Sequence, residues 1–421
     1  MRIAHVAPPL ARRGGPAGYL LQLANACARE APANHSLTFP RRAAPSTVAP
    51  RPLAVRARAR LGRVKRMIAG PPVYFRPAEG DIRRENGAID ALLTTSMQNV
   101  LVEDAESIAA AAASGADVLF AHEPAAAERL LDQRRAGQQV WLMMHAPMPI
   151  GLDMAWSWGV PEWEWQALAA LPDTRRWVQW ELDICARVDR RITACPEAVD
   201  ELSRVDGRFG ALSFDYILTG AAGPARVFPN DTRAQLRRRW RLPADVPVGL
   251  FLGTALPYRG LDVLMDAAAT LPRSVPGIVA VAGPHVDKVR SHPRLRALGS
   301  IPEVSDLLDA VDFTINVNRF SLFDLSTIEA AQAGRPMLLH ATGGNRRFAQ
   351  LGVGAVLIDD VAPETIARGL RDLFAMPESR RAELAHASRA CYDAYLQPSH
   401  LLARHLALYD RGVIDAAVLA K

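Results

Sequence analysis

The chain has 421 residues, 22% of them charged and 49% hydrophobic, with a net charge of +6 and a pI near 9.4. That length exceeds one ordinary core and makes two domains of roughly 200 residues the default. The composition excludes long disorder, and no apolar run reaches the roughly 20 residues that span a bilayer.

The start, MRIAHVAPPLARRGG, predicts a strand and turn, without the apolar stretch and cleavage site of a signal peptide. A helix pattern follows in PAGYLLQLANACARE. Residues 41–66 then hold nine basic side chains and no acid. They read as a solvated loop or, with Leu61, Val64 and Ile68 at helical spacing, as a short helix on an anionic membrane surface. Nucleic acid is not the expected partner, because interleaved aromatics are absent.

DVLFAH, QVWLMMH and RRITAC predict core strands, each followed by a helical stretch, one of them running from about 162 to 188. Strands apolar on both faces with crossover helices specify a doubly covered parallel sheet. WSWGVPEWEW, residues 156–165, holds half of the tryptophans. Its rings belong to core packing or a hinge, or offer faces to an acceptor sugar, with Trp156 and Trp158 the candidates.

A second series begins after Gly220: VGLFLGT, GIVAVAGP, FTINVN, PMLLHAT and GAVLID alternate with helices, and the tail from Pro377 is helical throughout. The expected division is 1–217, 218–385 and a crossing tail, 386–421. Cys27, Cys185, Cys195 and Cys391 are scattered with no Cys-x-x-Cys. That predicts free thiols, no zinc site and a reducing cytoplasm.

In open α/β sheets ligands sit beyond the carboxyl ends of strands, where helix amino termini aim N–H groups at anions. Three loops fit. PPLARRGGPAGY brings Gly14 and Gly15, without a dinucleotide fingerprint. GTALPYRGLD puts Arg259 at a helix start, aimed at a phosphate. NRFSLFDLST leads to Glu329, with Asp324 as a candidate N-cap. Glu329 reads as a carboxylate favoured by the helix dipole or as an acceptor for two ribose hydroxyls. His122 and His145 end core strands and face the expected cleft.

These blocks resemble the GT-B glycosyltransferases, specifically the retaining group 1 (family four) enzymes that build bacterial polysaccharides and glycolipids. The resemblance implies two Rossmann-like domains facing a cleft, an α/β fold. It implies transfer of a sugar from a nucleotide-sugar co-substrate to a hydroxyl of a glycan or lipid-linked glycan, with no cofactor or metal. By position, Glu329 holds the donor ribose, Arg259 neutralises the diphosphate, and Phe323, Asp324 and Leu325 fall on a Phe-Gly-Leu segment whose amides meet phosphate and sugar. Ile301 to Val304 border the base, His145 lies against the transferred sugar, and Gly14 and Gly15 approach phosphates or acceptor. Three positions depart. Ser321 replaces a sugar-binding glutamate, Thr254 an arginine and Ala146 an aspartate; by position Ser321 and Thr254 are still expected to contact the donor. The rival expectations are a nucleotide-binding protein without turnover and a sugar-nucleotide epimerase.

Overall fold

A computed structural model describes residues 1–10, 15–30, 32, 34–41, 86–157, 165–284 and 289–411. The basic segment, apart from Arg41, and Gly14 and Trp158 lie outside them.

Two parallel six-stranded sheets form the frame. In the first, β1 (Arg2–Val6), β2 (Ser36–Thr38), β3 (Val118–Ala121), β4 (Gln139–Met143), β5 (Arg190–Thr193) and β6 (Asp215–Tyr216) lie in the order β2-β1-β3-β4-β5-β6. In the second, β7 (Val248–Leu252), β8 (Ile278–Ala282), β9 (Leu295–Gly299), β10 (Phe313–Asn316), β11 (Met337–His340) and β12 (Ala355–Ile358) lie in the order β12-β11-β10-β7-β8-β9. Every described pairing is parallel. The expected strand series is present. The short strands β2, β6 and β9 had no expectation.

The side-chain period of two explains the layers. Ile3, Phe120, Trp141 and Ile192 fill one face of the first sheet; Ala4, Leu119, Val140 and Leu142 fill the other. The second sheet divides likewise into Phe251, Val281 and Ile315 against Leu250, Ala282 and Leu339. Burial on both faces is what a parallel sheet requires.

The helices that matter below are α1 (Gly15–Arg29), α2 (Asn86–Ala113), α3 (Pro124–Gln133), α4 (Ile150–Ser157), α5 (Trp165–Ala170), α6 (Pro172–Arg187), α7 (Pro196–Val205), α8 (Arg233–Arg239), α9 (Leu261–Thr270), α10 (Val304–Ala310), α11 (Leu325–Gln332), α12 (Gly343–Gln350), α13 (Pro363–Phe374), α14 (Glu378–Cys391) and α15 (Pro398–Arg411). Pro124, Pro172, Pro196 and Pro363 each open a helix, where a missing N–H costs nothing and φ is preset. Pro172 also corrects one expectation: the single helical run over 162–188 is two helices, α5 and α6, parted at Leu171. The 28-residue α2 was not anticipated.

The chain passes between the sheets twice. After β6 it runs through 217–224, where the Gln22 side chain holds Ala222 by both N–H and C=O. The tail returns through α15, which packs on α1 and contributes Leu401, Leu402, Leu408 and Tyr409 to the first sheet's core. Gly220 permits this return, because a Cβ there would meet the Gln397 carbonyl at 2.3 Å. Among the described residues no helix is long and apolar enough to cross a membrane.

Candidate active site

The loops beyond the carboxyl ends of β7 and β10, which are neighbours in the second sheet, carry most of the expected donor residues. After β7 the chain reaches a tight turn, Pro257–Arg259, and then Gly260 in the left-handed region at φ 73°. A side chain at Gly260 would collide with the Val317 carbonyl at 2.3 Å, so only glycine lets this loop lie against the β10 loop. Arg319 fixes the same junction by a bidentate pair to Asp262, at 3.0 and 2.7 Å.

Arg259 is not left waiting for a phosphate. Its Nη1 donates to Asp324 Oδ1 at 2.6 Å, and both side chains are largely buried. Burial works against the guanidinium's charge, but Asp324 and the Tyr258 hydroxyl outweigh it and hold the pKa above the ordinary arginine value. The other Asp324 oxygen accepts from Asn318 at 2.6 Å and Asn316 at 3.0 Å. Asp324 does stand at the amino end of α11, yet its carboxylate makes no cap bond. It replaces a glycine of the resembled segment with an internal anion for Arg259.

Ser321 is corrected as a sugar contact. It is fully buried, and its hydroxyl faces Asn345 at 3.2 Å and Asp324 at 3.4 Å. Phe323 stacks on Phe348 at 3.8 Å inside the core, so only its backbone can meet a ligand. The Gly343–Gly344 pair explains the close fit here. Gly344 N–H donates to the Ser321 carbonyl at 2.9 Å, and a Cβ on either glycine would overlap the carbonyl of Ser321 or Leu322. Leu325 and Thr254 are half-buried at the same edge.

Glu329, one turn into α11, lies beside the 221–224 crossover. A Cβ placed on Gly223 would meet Glu329 Cγ at 3.6 Å and the Ser305 hydroxyl at 3.0 Å. Ser305 follows Val304 at the start of α10, so that helix start and Glu329 flank the same glycine.

The first sheet supplies His145, which is half-buried two residues beyond β4. Its Nε2 lies 2.8 Å from His122 Nδ1, and burial pushes its pKa down to about 3, so it is neutral at pH 7. Gly15 opens α1 with φ 69°, a conformation glycine adopts freely. Trp156 is a second correction. It is 1% exposed and packs edge-on against Phe320, with Leu93, Leu152 and Tyr258 around it. A buried ring offers no face to a sugar.

That apolar cluster joins the two halves, and polar contacts reinforce it. Arg204 on α7 donates to Glu201, to the Arg319 carbonyl and to Thr342, with its guanidinium 4.3 Å above Phe320. Glu201 in turn accepts from Thr342 at 2.7 Å. Sequence reasoning missed this bridge, because its partners stand more than 100 residues apart.

The model of the family described as "Glycosyl transferases group 1" matches residues 246–376, the segment that holds Arg259, Asp324 and Glu329. D-inositol 3-phosphate glycosyltransferase of Thermobispora bispora is 31% identical over 184 residues, 39% of this chain and 43% of that protein. The enzyme of the same name from Acidothermus cellulolyticus is 27% identical over 247 residues, 53% and 54% of the two chains. The chain thus spans about half the length of the curated relatives it matches. Two solved structures share the fold across nearly the whole chain. Sucrose-phosphate synthase of Thermosynechococcus elongatus has a TM-score of 0.64 at 18% identity, covering 97% of this chain and 98% of that one. HepE of Anabaena, bound to UDP-glucose, gives 0.61 at 14% identity, covering 97% and 99%.

Proposed function

We propose that this chain, a GT-B fold whose residues 246–376 are a group 1 glycosyltransferase domain, moves a sugar from a nucleotide-sugar donor to a hydroxyl of a glycan or lipid-linked glycan. One observation carries the reading. Arg259 pairs with Asp324 at the amino end of α11, the helix that carries Glu329, beyond the carboxyl ends of the adjacent strands β7 and β10, where an open parallel sheet receives a ligand.

In that edge Glu329 accepts the ribose hydroxyls, Ile301 and Val304 border the base, and the amides of 323–325 face phosphate and sugar. As the donor bond breaks, negative charge gathers on the leaving diphosphate. Arg259 and the helix amino terminus meet that charge without a resident metal. His145 contacts the transferred sugar across the cleft. HepE, solved with UDP-glucose, makes UDP the first nucleotide to test. Retention of the anomeric configuration, a place in bacterial polysaccharide assembly, a cytoplasmic setting and docking of residues 41–66 on an anionic membrane complete the proposal.

A second reading is favoured by Asp324. With Arg259 already paired and Ser321 buried, the site can bind a nucleotide without turning a donor over. Incubation with UDP-, GDP- and ADP-sugars plus lipid-linked acceptors separates the two. Acceptor-dependent nucleotide release that is lost in Glu329→Ala is the expected result. Nucleotide binding with no release for any donor would put the second reading first; neither binding nor release would end both.

A further inference from the structure

Six side chains form one continuous polar chain beneath the carboxyl edge of the first sheet. His145 Nε2 lies 2.8 Å from His122 Nδ1, and His122 Nε2 lies 3.0 Å from His5 Nδ1. His5 Nε2 is 3.3 Å from the Tyr409 hydroxyl, which is 2.8 Å from His405 Nδ1. His405 Nε2 is 2.7 Å from the Tyr19 hydroxyl. All but His145 are buried. The rings come from β1, from the loops after β3 and β4, from α1 and from α15, so the returning tail closes the chain.

Burial depresses the pKa of all four histidines, and the rings are neutral at pH 7. A neutral imidazole has one N–H and one bare nitrogen, and a phenol has one O–H. Five contacts therefore share six hydrogens, and one hydrogen is left over. His122, His5 and His405 each use both nitrogens inside the chain, which leaves three places for it: the Tyr19 hydroxyl, the Tyr409 hydroxyl or His145 Nδ1. Either hydroxyl would bury an unsatisfied donor. His145 is half-buried, and the hydrogen bond described for its ring uses Nε2, so a hydrogen on Nδ1 can reach solvent or a ligand.

We propose that His122 and His5, anchored through Tyr409, are positioning residues that hold His145 in its Nδ1–H tautomer. The hydrogens then run in one direction, from Tyr19 to His405, Tyr409, His5, His122 and His145. His145 meets the cleft as a hydrogen-bond donor to an oxygen acceptor, not as a base. The identity of that acceptor as a sugar oxygen rests on the proposed function; the hydrogen order does not. Other charged groups lie at the margins: Arg404 near Tyr19, and Asp410 bound to His35, whose ring edge meets Tyr409.

The full chain with 15N-labelled histidine is the material for the test, read by long-range proton–nitrogen correlation at neutral pH and assigned with single His→Gln variants. The Nδ1–H pattern is expected for His5, His122, His145 and His405. An Nε2–H proton on His122 or His5 would overturn the proposal. Tyr409→Phe supplies the second arm, since it is nearly isosteric and three links away from His145. Without the hydroxyl, both hydrogen orders leave one buried nitrogen or N–H unpaired, so the preference shrinks and an Nε2–H signal grows at His145. A His145 signal identical to wild type in a folded Tyr409→Phe protein would show that the chain does not set its tautomer. Both arms read out without any sugar donor, so failure of the transferase reading leaves them intact. If that reading holds, His145→Gln, which keeps an amide donor, retains most transfer, while His145→Phe loses it with kcat falling more than KM rises.

Discussion

The carboxyl edges of the two sheets have the same topology and opposite electrostatics. At the first edge, His145, His122 and His5 are neutral and share hydrogens along a buried chain. At the second, Arg259 with Asp324 and Arg319 with Asp262 form ion pairs. Parallel strands present the same N–H and C=O groups at both edges, so the difference lies in the side chains that the loops deliver. A neutral chain fixes hydrogen direction, whereas ion pairs fix charge in place and suit an anionic ligand.

Acid should break the comparison first and hardest. His5 and His145 are pushed down to about 3, and His122 and His405 are lowered as well. The unfolded chain therefore binds more protons than the folded one below the ordinary histidine value, and stability falls as pH drops from about 6.5. Each such group contributes up to roughly 1.4 kcal/mol per pH unit. Melting temperature measured from pH 7 to pH 5 should drop steeply, and less steeply in His405→Phe.

At the second edge, Arg259→Ala strands the Asp324 carboxylate among amides. The expected loss is roughly 2–3 kcal/mol, discounted from a fully buried pair because Arg259 is partly exposed. Denaturant titration of the double variant Arg259→Ala/Asp324→Gly should recover most of it. A double variant as unstable as the single one would mean that the charges are not coupled.

Glu181 sharpens the contrast from within the first half. Burial pushes its carboxyl up to about 8, and the Ile150 N–H donates to Oε2 at 2.6 Å. The folded state then binds the extra proton between the ordinary glutamate value and about 8, so stability falls as pH rises through that window. Glu181→Gln keeps the acceptor and removes the ionisation. Its melting temperature should lie close to wild type near pH 5 and exceed it at pH 9, by an amount equivalent to about 4 kcal/mol. The smallest effect belongs to Arg346→Ala. Its partner Asp200 is exposed, and an exposed pair is worth under about 1 kcal/mol, so calorimetry should show almost no change.

Much of the frame was legible because apolar runs such as VLFA and MLLH leave no polar face, which only a doubly covered sheet tolerates. β9, reading LRALG, gave no such signal, since an edge strand is half-exposed. Glycine placement and strand ends marked the β7 and β10 loops, and the structure sets both loops beyond the carboxyl ends of neighbouring strands. The partnership of Arg259 with Asp324 was not legible, because the two are 65 positions apart; an acid where a glycine was expected was the available clue. For the histidines, strand parity puts His5, His122 and His145 on the same face as Ile3, Phe120 and Met143. Tyr409 and His405 arrive from the far end of the chain, and nothing local foretells that.

The central claim is that Arg259, Asp324 and Glu329 form a nucleotide site at the carboxyl edge of the second sheet. Titration calorimetry of UDP, GDP and ADP against wild type, Asp324→Gly, Arg259→Ala and Glu329→Ala tests it most directly. The account predicts that one nucleotide binds wild type, binds Asp324→Gly about tenfold more tightly because Arg259 is released, and binds the two alanine variants weakly or not at all. A nucleotide held equally well by Arg259→Ala and Glu329→Ala would contradict it.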